Sequence, residues 1–361
     1  MKKKLMSLLL VLALSISLTA CGPAPSETTA DETTPPTEAA TRMFTDSMGR
    51  EVEVPAQIDQ IAISGPATQI VLFALCPDKL VGIATDWSPE SEVYLDTEYY
   101  HLPVIGQLYG GKGELNLETL LASGAQVVID VGEPKSGIAE DLDALQEQTG
   151  IPFVHITSTT ATAGDAYRML GGLLNMEEEA ERLAAYCDSI YAQTLELAGS
   201  VEKVDALYIT GEEGHNVIAQ SSYHSEVMDL LTNNLAVLEE PSSKGSGNEV
   251  DMEQILTWNP GVIVFGDGSV YADVADDPAW QSITAVQNGD YYEVPFGPYN
   301  WMGFPPSVQR YLGMLWLGKV LYPEATADYD LYEEVREYYG MFYHCDLTRE
   351  QYDVLMTNSL G

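Results

Sequence analysis

Two stretches of this chain carry the same order of polar and apolar positions, 135 residues apart. Asn116-Leu-Glu118-Thr-Leu-Leu-Ala-Ser-Gly-Ala-Gln-Val-Val-Ile129 matches Asp251-Met-Glu253-Gln-Ile-Leu-Thr-Trp-Asn-Pro-Gly-Val-Ile-Val264. Each reads as a polar cap, a two-turn helix with an early glutamate, a turn and a buried apolar strand. Repetition at this distance predicts two similar lobes built from one βα unit, unlike the short period of a solenoid. Two such lobes enclose a cleft and carry two equivalent glutamates on the outside.

The remaining pattern agrees. Phe44 to Pro55 alternates around Met48-Gly49 and predicts a β-hairpin. Ile58 to Ile63, Leu80 to Ala84, Val127 to Val131 and Pro152 to Ile156 are apolar strands separated by helix-sized segments, one of them capped at Ser64 to Thr68. Strands alternating with helices predict an α/β fold with parallel-type sheets. Residues 164–200 contain no proline and no strand. Within them Met176, Ala180, Leu183, Cys187, Ile190, Thr194 and Leu197 recur in steps of four and three, which predicts a long helix with one apolar face. Such a helix, about 35 Å long, would join the lobes as a stiff spine. The second lobe begins with the strand Val204 to Thr210 and ends in helices over 306–321 and 331–342.

The ends add a location. Lys2, Lys3 and Lys4 precede an apolar run from Leu5 to Leu18, too short to span a membrane well, as in an export signal over 1–20. Leu18-Thr-Ala-Cys21 resembles the bacterial lipobox, which implies that Cys21 is lipidated and anchors the chain to the cell membrane outside the cytoplasm. Residues 21–42 contain little but Pro, Gly, Ala, Ser, Thr and acids, and read as a flexible tether. The lobes then occupy 43–163 and 201–361.

Charge excludes one class of partner. The 16 Lys and Arg face 55 Asp and Glu, a formal net charge of −39, so nucleic acid is not a ligand. Cys76, Cys187 and Cys345 permit at most one disulfide and match no zinc spacing. No G-x-S-x-G, phosphate-loop or Cys–His nucleophile pattern occurs, so the reading is a binding protein and not an enzyme. No HxH or HExxH spacing marks a bare metal site, and no cofactor is expected.

Asp46-Ser-Met-Gly-Arg50 with Val54-Pro55, Ala74-Leu75, Leu80-Val-Gly82, the two glutamate units and Trp316 to Pro323 together resemble the class III substrate-binding proteins of ABC importers. That family carries iron–siderophores, haem and vitamin B12. The resemblance covers residues 44 to about 340. It implies two α/β lobes joined by one long helix, a ligand between them, and a monomer that docks on a permease dimer with its ATPase. It also implies that Glu118 and Glu253 pair with permease arginines, for which charge-assisted bidentate bonds are suited.

Ligands of open α/β sheets gather at the carboxyl ends of the strands. There the sequence places Trp87, Tyr109, Lys112, His215, Tyr299, Trp301, Phe304 and Arg310 as candidate ligand contacts, the aromatics as flat walls. Lys135 and Lys244 are further cations near those ends. Only seven arginines occur in the chain, and no basic cluster stands out for a trianionic siderophore. The expectation is an iron–siderophore or related metal chelate, preferably neutral or cationic. A corrinoid, haem, or a sensing role for the lipid-anchored protein are alternatives.

Overall fold

In the computed structural model, residues 40–108 and 115–360 are described, and Cys21, Tyr109 and Lys112 lie outside them. The chain opens with the antiparallel hairpin β1 (Thr41–Thr45) and β2 (Glu51–Pro55), so Thr41 and Arg42 of the expected tether belong to a strand. Asp46 closes the turn, its carboxylate accepting the amides of Met48 and Arg50.

A parallel three-stranded sheet follows, with β4 (Val127–Gly132) between β3 (Ile61–Ile63) and β5 (Phe153–Thr157). Its helices are α1 (Pro66–Leu75), the short α2 (Thr97–Tyr100), α3 (Leu117–Ala122) and α4 (Ile138–Thr149). Leu80 to Ala84 does not form the expected strand; it contributes only single bridges, Leu80 to Ile61 and Ile83 to Val104. Two helices come next: α5 (Ala163–Leu174) and α6 (Glu177–Ser200).

The second sheet has the order β11–β10–β6–β7–β9, with β8 also on β6. Its strands are β6 (Asp205–Thr210), β7 (Asn216–Val217), β8 (Asn233–Asn234), β9 (Asn248–Glu249), β10 (Val262–Phe265) and β11 (Tyr291–Glu293). The β6, β8, β10 and β11 pairings are parallel, whereas the two-residue strands β7 and β9 add an antiparallel edge. Its helices are α7 (Glu226–Leu231), α8 (Met252–Trp258) and α9 (Thr284–Asn288), and α10 (Arg310–Leu321), α11 (Leu331–Phe342) and α12 (Arg349–Leu355) complete the chain.

The period-2 alternation of strands divides the core into three parts. Ile61, Ile63, Val127, Ile129, Val131, Val154 and Ile156 of the first sheet, and Ala206, Tyr208, Val262 and Val264 of the second, face one large shared core. The opposite faces form separate outer cores. Ala62, Val128 and Phe153 pack with Leu120 of α3 and with Ile138 and Leu142 of α4. Leu207, Ile209, Ile263 and Phe265 pack with Ile255 of α8, Ala285 of α9 and Trp280. Both faces of each sheet are therefore buried, which is why their strands read as unbroken apolar runs.

The predicted stripe of α6 lies on the shared core, with Ala180, Leu183, Cys187, Ile190 and Thr194 buried. At 24 residues the helix runs about 36 Å. All three cysteines of this part are free, and burial pushes the Cys76 thiol up to about 12. No helix among the described residues is long and apolar enough to cross a membrane.

The α5–α6 contact is close because of one glycine. A Cβ at Gly171 would meet the Ala180 Cβ at 2.6 Å, so a methyl group there forces the helices apart. Gly171→Ala should cost about 1–3 kcal/mol by overpacking, despite the better helix propensity of alanine. Urea denaturation of the purified protein checks this, and an unchanged or raised midpoint would contradict it.

Candidate functional site

Segments from both halves of the chain meet around one buried cation. Arg310 is the first residue of α10, where the helix dipole opposes a positive charge. It is also almost completely buried, which removes its hydration and pulls its pKa down. Acceptors from several segments hold it charged. Its Nη1 lies 2.7 Å from a Glu226 carboxylate oxygen and 3.2 Å from Thr160 Oγ1, and Nη2 donates to the carbonyl of Tyr223. Thr160 Oγ1 also donates to Glu226, and Tyr311 donates its hydroxyl proton to the Thr160 carbonyl at 2.7 Å. Thr160 follows β5 of the first sheet, while Glu226 begins α7 beside the second, so the cluster ties the two halves together.

A rim surrounds this cation. Gly303 has φ of +100°, and a Cβ there would fall 2.3 Å from Arg310 Nε, so only glycine allows the loop to cover the guanidinium. The Gly303 carbonyl accepts a hydrogen bond from His224 Nδ1 at 2.9 Å. Phe304 lies edge-on to His224 with ring centroids 5.8 Å apart and is 54% exposed. Tyr223 is 40% exposed. Its phenol is pushed up by partial burial and by a hydrogen bond to the Glu133 carboxylate, from the loop after β4. The rim thus offers two aromatic faces and a carboxylate above a neutralised guanidinium, with the His224 imidazole buried behind Phe304.

Beneath the ends of the first sheet lies a second polar group. Ser64 Oγ donates to one oxygen of Asp130, and His155 Nδ1 lies 2.7 Å from the other. Thr68 Oγ1 accepts from the Val131 amide at 2.9 Å, which fixes the start of α1 against β4. No side chain caps that first turn, whose N-cap is Gly65.

Of the residues expected from sequence, Arg310 and Phe304 are brought together here. Trp87 is buried, 5.3 Å from Phe73 and 5.5 Å from Tyr299 between ring centroids. The Tyr299 hydroxyl accepts from Gln69 Nε2 at 3.0 Å. Trp301 is fully buried, with Tyr339 as a ring neighbour. In this structure Trp87 and Tyr299 pack against α1, and Trp301 packs against Tyr339 of α11. His215 is half-buried, and its carbonyl accepts from Val250 near β7 and β9. Thr160, Tyr223 and Glu226 were not singled out from sequence, because their partnership with Arg310 spans 84 to 150 residues. Among the described residues, no cluster of three or more His, Cys, Asp or Glu is arranged to hold a metal ion.

Glu118 and Glu253 lie elsewhere. Both are exposed and both occupy the second position of their helices, α3 and α8. The caps are alike: Asn116 accepts from the Thr119 amide at 3.0 Å, and Asp251 from the Gln254 amide at 2.8 Å.

This fold is that of the solute-binding proteins of class III ABC importers, a family of binding proteins and not enzymes. The chain belongs to the periplasmic binding protein family, which matches residues 61–297. It is 25% identical over 341 residues to the molybdate-binding protein MolA of Haemophilus influenzae, covering 84% of this chain and 91% of that protein. An ABC transporter solute binding protein from Sulfurospirillum deleyianum superposes with a TM-score of 0.80 at 26% identity, over 88% of this chain and 99% of that one. Helicobacter pylori CeuE, solved as a Ni–His complex, shares the fold with a TM-score of 0.63 at 17% identity, over 87% and 99% of the two chains. The chain is a solute-binding protein of an ABC transporter, works outside the cytoplasm, and acts with a permease and its ATPase.

The rim gives a pH dependence. Burial holds the His224 imidazole below its ordinary 6.5; the Gly303 carbonyl opposes this, and the Arg310 charge adds to it. Below 6.5 the unfolded chain takes up this proton while the folded chain does not, so the contribution is complete above 6.5 and is lost as pH falls. Urea midpoints between pH 7.5 and 5.5 should therefore fall less in His224→Gln than in the unsubstituted protein. Equal slopes would show that His224 titrates alike in both states.

Proposed function

We propose that this protein is a lipid-anchored receptor that captures a metal chelate, such as an iron–siderophore, and delivers it to its permease. In this reading Cys21 carries the lipid and residues 21–42 are the tether. The lobes 43–163 and 201–361, joined through 164–200, close on the ligand, while Glu118 and Glu253 engage the permease. The observation that carries the ligand class is the rim around Arg310. A guanidinium already neutralised by Glu226 favours a neutral or weakly charged complex over a trianion, and exposed Tyr223 and Phe304 offer flat faces to an organic shell. Tyr109 and Lys112, from the segment before the first glutamate unit, are assigned to the same cleft on sequence grounds. A corrinoid or haem fits the same argument less closely, since each needs a larger apolar wall.

A second reading has its own support. The likeness to a molybdate-binding relative extends over most of the chain, and the uncapped amides of α1 suit a small oxyanion. Native mass spectrometry of the chain from Met43 separates the two, with ferric siderophores, cobalamin, haem and molybdate as probes. A one-to-one complex with a chelate supports the first reading. A complex with molybdate alone overturns it in favour of the oxyanion, and no complex with any probe rejects both.

A further inference from the structure

The repeated helices share a feature beyond their glutamates. In α3 the inward residue is Leu120, fully buried in the outer core of the first sheet; in α8 it is Ile255, fully buried in that of the second. The next residue is a leucine in both, and it faces solvent: Leu121 is 54% exposed and Leu256 is 39% exposed. Each stands three residues after its glutamate, so carboxylate and isobutyl group share one face of a short helix. Single exposed leucines are ordinary on protein surfaces. Here two occur at the same position of a unit that the chain contains twice, on helices with the same cap and the same inward anchor.

We propose that Leu121 and Leu256, together with Glu118 and Glu253, form a two-part docking surface for the permease dimer. The partner chemistry is a basic side chain beside an apolar patch, presented once by each of two like subunits. A two-fold symmetric partner offers the same patch twice, and the repeat supplies a matching charge-and-leucine pair for each. The carboxylates steer the encounter and set its register, whereas the leucines lose water only in contact and so slow dissociation. This inference rests on the reading of Glu118 and Glu253 as docking residues, and it adds the apolar half of that surface.

The test uses the full chain and its cognate permease–ATPase complex in nanodiscs, with binding followed by interferometry over a range of salt. Leu121→Ser with Leu256→Ser should weaken binding about tenfold or more, through faster dissociation at every salt concentration. Glu118→Ala with Glu253→Ala should slow association most strongly at low salt. Both pairs should keep the thermal midpoint of the unsubstituted protein, and Leu121→Met with Leu256→Met should restore binding. If the glutamate pair weakens binding and the leucine pair does not, the leucine inference is overturned while the docking reading stands. If neither pair changes binding, both fail.

Discussion

Burying the Arg310 guanidinium is the constraint around which the two halves of this protein are arranged. A cation removed from water costs several kcal/mol unless it is paired and hydrogen-bonded. Glu226, Thr160 and the Tyr223 carbonyl supply those bonds, and none of them is near Arg310 in sequence. Because Thr160 follows β5 of the first sheet and the others lie at the start of α7 beside the second, satisfying the cation also ties the two halves together. Gly303, Phe304 and His224 then close over it. In the proposed reading, the solute site is thus held by an ion pair whose charge is already spent, which turns attention from charge to the aromatic rim.

The cores reinforce this arrangement. One continuous apolar cluster joins a face of each sheet through α6, α10 and α11, so the halves share their largest hydrophobic contact. The outer faces are covered separately, by α3 and α4 on one side and by α8 and α9 on the other. The glutamate helices belong to these outer layers. Each has one fully buried anchor, Leu120 or Ile255, with Leu117 in α3 and Met252 and Trp258 in α8 partly buried beside it, and leaves Glu118 and Leu121 or Glu253 and Leu256 to solvent. In the proposed reading, ligand contacts and partner contacts consequently fall on different layers of the same sheets.

Much of this was legible in the chain because it depends on short-range periodicity. The α6 stripe, the β1–β2 hairpin and the Asn116 and Asp251 caps are set by neighbours within a few residues, and they appear where the pattern puts them. Leu80 to Ala84 misled because an apolar run of five residues has no length with which to distinguish a strand from a bridged loop. The antiparallel strands β7 and β9 are two residues each, below any periodic signal. The site was legible only in part. The scarcity of arginine pointed to Arg310, but Thr160, Tyr223 and Glu226 are ordinary residues made special by a long-range contact. Likewise, an aromatic type does not reveal its direction: Phe304 faces solvent, and Trp301 three residues earlier is fully enclosed.

In the proposed reading the solute is held beside Arg310, where the two halves meet. A crystal structure of the chain from Met43 with the solute that it binds tests this most directly. Ligand density is expected between the loops after β4 and β5 and the 221–224 and 303–304 segments, with Tyr223 and Phe304 in contact. Density anywhere else, with the Arg310 rim empty, would contradict it.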